Sequence, residues 1–172
     1  MQRFSCVIRS PLIQCNYKVA YFMTLQEQTK IERKTLIHAP RSRVWRALTT
    51  AQEFSKWFQA ELEGSFAPGK RLEMISMHPC GNNAHFYVIV ERMEPEHTFS
   101  WRWHPGSARA EDDGSTLVEF HLEEVEGGTL VAVTESGFDR ISLARRMKAF
   151  EENSRGWELQ MESLKQYASE AA

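Results

Sequence analysis

In the stretch Thr129–Phe138, TLVAVTESGF, the alternation that places Val131 and Val133 on one side of a strand carries Glu135 to the same side. A carboxylate at the end of an apolar alternation faces the space that the apolar side chains line. Burial there raises its pKa and suits it to hydrogen-bond a ligand or to act as a general acid/base. The plainer role, a carboxylate that meets water or an Arg at a cavity mouth, stays open beside these. Trp57, Phe58, Trp101, Trp103, Phe120 and Trp157 fall on faces expected to converge, where indole N–H groups can hold a ligand that the rings bury. Met74 and Met161 extend the same candidate wall, although core packing is the ordinary use of all eight side chains. Asn153 lies four residues before Trp157 and Gln160 three after it, so each borders the apolar stripe of a helix and can orient a ligand, with solvent-facing polarity the plainer account of Gln160 and an equal one for Asn153. The candidate ligand-binding set is therefore Trp57, Phe58, Met74, Trp101, Trp103, Phe120, Glu135, Asn153, Trp157 and Met161. No catalytic residue is assigned outright, since Glu135 has no evident partner base.

Other chemistries find little support. The histidines, His38, His78, His85, His97, His104 and His121, show no HExxH or paired-ligand spacing, so no metal and no cofactor is expected. Cys6, Cys15 and Cys80 form neither a disulfide framework nor a CxxC pair, which fits a reduced, cytoplasmic setting. No nucleophile elbow, phosphate-binding loop or dinucleotide fingerprint is present. Basic and acidic residues nearly cancel, 21 against 23, so nucleic acid is not an expected partner. No apolar run approaches the ~18 residues of a membrane span. Residues 1–22 mix charges among apolar positions and make a poor signal peptide, so they read as an extension outside the packed domain.

The elements that position the candidates follow from periodicity. The 172 residues, 42% of them hydrophobic, suit one domain with a sizeable core, placed at 23–172. TKIERKTLI predicts a strand that ends at His38-Ala39-Pro40, and Val44, Trp45 and Leu48 recur at helical spacing after it. Thr50-Ala51-Gln52-Glu53 reads as a capping box opening a second short helix with Phe54, Trp57 and Phe58. AELEGSF, RLEMISM and HFYVIVERM predict three strands, with the parity of Phe86–Met93 left open. TFSWRW, STLVEFHLEE and TLVAVTESGF alternate as three more, the last two joined at Gly127-Gly128. Met147, Phe150, Ser154, Trp157, Met161, Leu164 and Ala168 mark one face of a long final helix, in which Gly156 is expected to permit close approach to the sheet or to ease a bend. Residues 91–135 hold eleven acidic and three basic groups, which predicts an acidic outer surface on the late hairpins, a solvated face rather than a docking patch. The order implies an α+β fold with a mainly antiparallel sheet and helices on one face.

Four segments in order, APRSRVWRALTTAQEFSKWF, VERMEPEHTFSWRWHP, TLVEFHLEEVEGGTLVAVTESGFDR and GWELQMESLKQY, resemble the helix-grip START/Bet v-type superfamily, often called SRPBCC. Within it the chain is similar to the branch of the activator of heat-shock-protein ATPase homologues, from about Thr29 to Tyr167. The resemblance implies a seven-stranded antiparallel sheet wrapped around the long C-terminal helix, with a cavity for apolar or amphipathic molecules between them. Lipid and hormone carriers, polyketide cyclases and co-chaperone domains share this fold, so the fold alone does not choose among them. Three functions follow as expectations. The first is binding of a small hydrophobic molecule. The second is a chaperone-associated role through the outer surface, although the separate N-terminal domain of the eukaryotic activators is not seen here. The third is proton-transfer catalysis of the polyketide-cyclase kind with Glu135 as acid/base.

Overall fold

A computed structural model of the chain describes residues 29–77, 83–105 and 114–170. The 1–22 extension, His78 and Cys80 lie outside the described residues. Strand β1 (Lys30–Ile37) is followed by helices α1 (Arg41–Thr49) and α2 (Ala51–Phe58). Then come β2 (Ala60–Leu62), β3 (Arg71–Ser76), β4 (His85–Glu94), β5 (Thr98–Trp103), β6 (Thr116–Val125) and β7 (Gly128–Ser136). A single 3-10 turn, Phe138–Arg140, leads into α3 (Leu143–Glu170).

The seven strands form one sheet in the order β1-β7-β6-β5-β4-β3-β2, and every neighbouring pair is antiparallel. Consecutive strands from β2 to β7 are sheet neighbours, whereas β1 joins, among the described strands, only β7, at the far side. This is the helix-grip arrangement, with α3 laid across the inner face. Alternation decides what faces α3. Val118, Phe120 and Leu122 of β6 stand opposite Glu135, Val133 and Val131 of β7, and all six are buried. On β5, Phe99 and Trp101 are buried beside them. Parity on β4 is now visible: Val88 and Val90 face inward, then a bulge between Val90 and Arg92 shifts the register so that Met93 also packs against the core. Glu91, the bulged residue, reaches Arg102 at 2.9 Å.

Gly128 is required at the β6–β7 turn. Its φ is +147°, and a Cβ there would lie 2.1 Å from the Ile37 carbonyl oxygen, so the hairpin closes against the end of β1. Gln59, at φ 54°, is a left-handed residue that ends α2 and turns the chain into β2.

Three local expectations need correction. The capping box does not form: Thr50 is the N-cap of α2 but makes no side-chain cap bond. Glu53 instead accepts from Arg43 Nη1 at 2.6 Å and Arg46 Nε at 2.7 Å, because charge-assisted bonds to two guanidinium groups outcompete one backbone N–H. Met147 leaves the apolar stripe and is 54% exposed. Ten residues of helix rotate it about 80° from Trp157. The buried stripe of α3 is Ala149, Trp157, Met161, Leu164 and Ala168. Gly156 does not mediate close packing either, since a Cβ there would meet nothing within 4 Å.

Candidate functional site

The inner ends of β5, β6 and β7 bring Trp103, Thr116 and Glu135 together. Trp103 stands opposite Thr116 in the β5–β6 ladder, and Val118 stands opposite Glu135 in the β6–β7 ladder, so Thr116 is the diagonal neighbour of Glu135. Asn153 and Trp157, four apart on α3, descend from the other side on one helix face. Glu135 is 0% exposed. Its Oε1 accepts from Trp103 Nε1 at 2.8 Å, Thr116 Oγ1 at 2.6 Å and Asn153 Nδ2 at 2.8 Å. Its Oε2 accepts from Trp157 Nε1 at 2.6 Å and from the same Asn153 amide at 3.0 Å.

All these donors are neutral. Loss of water around the carboxylate pushes its pKa above the ordinary value of 4.5, while the bonds from Thr116, Trp157, Trp103 and Asn153 pull it back down. The donors still leave little room for a carboxyl proton. Indole and amide N–H groups cannot accept one, so Thr116 Oγ1 is the single partner able to receive it. The network thus solvates a buried carboxylate with oriented dipoles and ties α3 to three strands at once.

The aromatic candidates form a continuous assembly around this centre. Trp157 lies 5.8 Å from Trp103, 5.7 Å from Phe120 and 6.3 Å from Phe58, centroid to centroid. Trp101 lies 5.5 Å from Phe120. Trp57 serves the packing of α1 and α2, since its Nε1 donates to the Ala47 carbonyl at 2.9 Å and its ring is 1% exposed. Met74, Phe120 and Met161 are likewise buried in the core, and the Trp101 ring is buried with its Nε1 unpartnered. Trp103 and Asn153 differ from these, being only partly buried. The site therefore has a closed floor of Glu135, Trp157 and Phe120 and a more open rim at Trp103 and Asn153.

The two flanks of α3 differ. Toward β1, Arg33 Nη2 donates to Ser154 Oγ at 2.7 Å and to Glu158 Oε1 at 2.9 Å, which seals that side. Toward α2, Gln160 Nε2 donates to the Phe58 carbonyl at 3.0 Å and Ser163 Oγ to the Trp57 carbonyl at 2.7 Å. These two bonds satisfy carbonyls at the end of α2 that the helix itself leaves free. Gly156 lies on this second flank, three residues after Asn153 and four before Gln160, with open space where a side chain would be. Phe86, partly buried on β4, stacks edge-on to Trp103 at 6.1 Å.

Reading the sequence alone overlooked Thr116, Phe86 and Gly156 as site residues. Thr116 was within reach, because it has the inward parity of Val118 two residues on. Phe86 was hidden by the undecided parity of its strand. Among the described residues no group of three or more His, Cys, Asp or Glu could hold a metal ion. No helix among them is long and apolar enough to cross a membrane.

Comparison with known proteins supports the fold and gives the family. The family model described as Activator of Hsp90 ATPase homolog 1-like protein matches residues 38–169, the larger part of the chain. No curated protein matches. Protein MLL2253 from Mesorhizobium loti is 22% identical with a TM-score of 0.69, over 83% of this chain and 98% of that one. The structure of the Aha1 dimer from Colwellia psychrerythraea is also 22% identical, with a TM-score of 0.64 over 81% of this chain and 96% of that one. DynU16, a protein from the dynemicin biosynthetic locus, is 20% identical with a TM-score of 0.63, over 81% of this chain but 46% of its own. At these identities the structures share the fold, and the matched family model carries the rest: the chain belongs to the Activator of Hsp90 ATPase homolog 1-like family.

Proposed function

We propose that this domain binds a small apolar or amphipathic molecule in a cleft on the α2-facing flank of α3, between that helix and β4–β5. One observation carries the reading. Gly156, about 100° round the helix from Trp157 and so at the edge of the contact face, has no atom within 4 Å of where its Cβ would be, which leaves the flank that carries Asn153 and Gln160 open at that point. Trp103 and Phe86 supply partly exposed aromatic surface for an apolar ligand, worth about 25 cal/mol for each Å² buried. In this reading Glu135 does not touch the ligand. Its oxygens are occupied by five hydrogen bonds, and its role is to hold Trp103, Asn153 and Trp157 in the orientations that shape the rim. That also weighs against Glu135 as an acid/base, which would need an open lone pair beside a substrate. Cysteine usage makes the cytoplasm the fitting location.

The test is native mass spectrometry of the full chain purified from its own source, beside a Gly156→Trp variant. A small molecule should accompany the wild type and be lost or depleted in the variant, whose indole extends into the space that is open beyond the Gly156 Cβ position. An equal load in both proteins, or none in either, would remove the cleft.

A second reading, a surface contact with a chaperone, rests on the family description together with Leu143 and Met147. These are 74% and 54% exposed and one helical turn apart at the start of α3. Pull-down of the chaperone by wild type but not by Leu143→Asp/Met147→Asp would favour it.

A further inference from the structure

Two features of the α2-facing flank concern what kind of molecule can enter it. The first is charge. Glu135 lies directly beneath the rim residues Trp103 and Asn153, and among the described residues every group that bonds it is neutral. Dipoles stabilise an anion without cancelling its charge, so the field of the carboxylate reaches the space above the rim through a medium of low polarisability. The second is hydrogen bonding. Gln160 spends its amide N–H on the Phe58 carbonyl, which fixes the orientation of the amide, and its Oε1 is then a buried acceptor with no partner. Buried polar atoms are nearly always paired, and an orphan on the flank beside Gly156 marks a place where a donor is expected.

We infer that the cleft selects an uncharged ligand bearing a hydroxyl or N–H donor, with Glu135 excluding carboxylate, sulfonate and phosphate amphiphiles and Gln160 Oε1 accepting from the donor. This rests on the cleft proposed above and narrows the ligand to neutral alcohols, phenols and amides with an apolar body. Glu135 is a specificity residue that acts by its field through Trp103 and Asn153, whereas Gln160 is a direct contact.

Three probes with one apolar body separate the terms: 4-pentylbenzyl alcohol, its methyl ether, and 4-pentylbenzoate. Binding to the full chain is followed by tryptophan fluorescence in mildly alkaline buffer, where the benzoate is ionised. The alcohol should bind about tenfold or more tightly than the benzoate, a repulsion of the size expected for two like charges several ångströms apart near a protein surface. It should also bind several-fold more tightly than the ether, which accepts but cannot donate. In Glu135→Gln the alcohol-to-benzoate ratio should collapse toward the alcohol-to-ether ratio. In Gln160→Leu, which leaves the Glu135 network intact, the alcohol-to-ether difference should vanish, and this arm stands even if Glu135→Gln does not fold. Benzoate binding as well as or better than the alcohol in the wild type would overturn the selectivity while leaving the cleft in place. Equal affinities for alcohol and ether would overturn the role of Gln160, and ratios unchanged in both variants would overturn the assignment to these residues. Binding of none of the three would overturn the cleft itself and the selectivity with it.

Discussion

Two carboxylates, Glu53 on α2 and Glu135 on β7, are held by opposite means. Glu53, with its side chain 19% exposed, takes the guanidinium groups of Arg43 and Arg46, and Arg43 also lies 4.8 Å over the Tyr167 ring and bonds the Tyr167 carbonyl. Glu135, at 0% exposure, takes two indoles, an amide and a hydroxyl. The first arrangement neutralises a charge and clamps α1 and α2 to the end of α3. The second leaves the charge in place and spends four side chains on solvating it. A fold that needed only to dock α3 could have used an apolar residue at 135, since exchanging a buried polar group together with its partners for well-packed apolar ones is often neutral or stabilising. Retaining the carboxylate points to a use for its charge or for the rim it orders.

The comparison breaks first at Trp157. Truncating it to Ala removes a large buried ring and orphans one side of Glu135 together, and should cost about 3 to 5 kcal/mol in denaturant unfolding. A loss under about 1 kcal/mol would mean that α3 is not anchored at this centre. Arg43→Ala should cost less, about 2 kcal/mol, because Arg46 still faces Glu53. The effect of Arg46→Ala should be smaller and should shrink in high salt, whereas that of a Glu135 variant should not, since screening reaches the exposed Arg46 pair and not the interior. Equal salt dependence would erase the distinction between the two sites.

The pH dependence sharpens the contrast further. Burial first of all, opposed by the hydrogen bonds, raises the folded-state pKa of Glu135 above 4.5. The native protein then holds this proton more tightly than the unfolded chain does. The contribution of Glu135 to stability is therefore full below the ordinary Glu range and is lost as pH rises through its raised value. Against Glu135→Gln, which cannot titrate, wild-type stability should decline across that window and level off above it. A wild type that gains stability relative to the variant over the same range would reverse the sign and show that the donors outweigh burial. The smallest effect is expected at Gly156, where Ala should stabilise by about 0.5 to 1 kcal/mol by thermal or denaturant unfolding, since a helix-interior Gly is costly and the new methyl meets nothing. Destabilisation there would mean that the space over Gly156 is not open.

Much of this was legible in the sequence, for a specific reason. Strict alternation in TFSWRW, STLVEF and TLVAVTES assigns inner faces residue by residue, so the inward turn of Glu135 followed from Val131 and Val133. The partners that complete its shell were harder to see. Nothing local says that Trp103, Thr116 and Asn153 meet at one carboxylate, because their convergence depends on strand order and on how α3 is rotated. Glu53 shows the reverse failure. A sound local rule named a cap, and two arginines from the preceding helix competed successfully for the same oxygens. Met147 fell outside the stripe because alternate steps of three and four run slightly short of the helical repeat and drift round the cylinder.

The place of β1 in the sheet sets an order of events during synthesis. Its sole ladder partner among the described residues is β7, with Lys30 opposite Ser136 and Ile37 opposite Thr129, so roughly a hundred residues must emerge before the two can pair. Until then the nascent chain carries an unmatched strand able to recruit another polypeptide. Its text, KIERKTLI, puts Lys30, Glu32, Arg33 and Lys34 among the first five of the eight residues that wait, and charges of this kind act as gatekeepers against intermolecular pairing. Replacing them with apolar residues should therefore lower the soluble yield of newly made protein well before it lowers the stability of the finished fold.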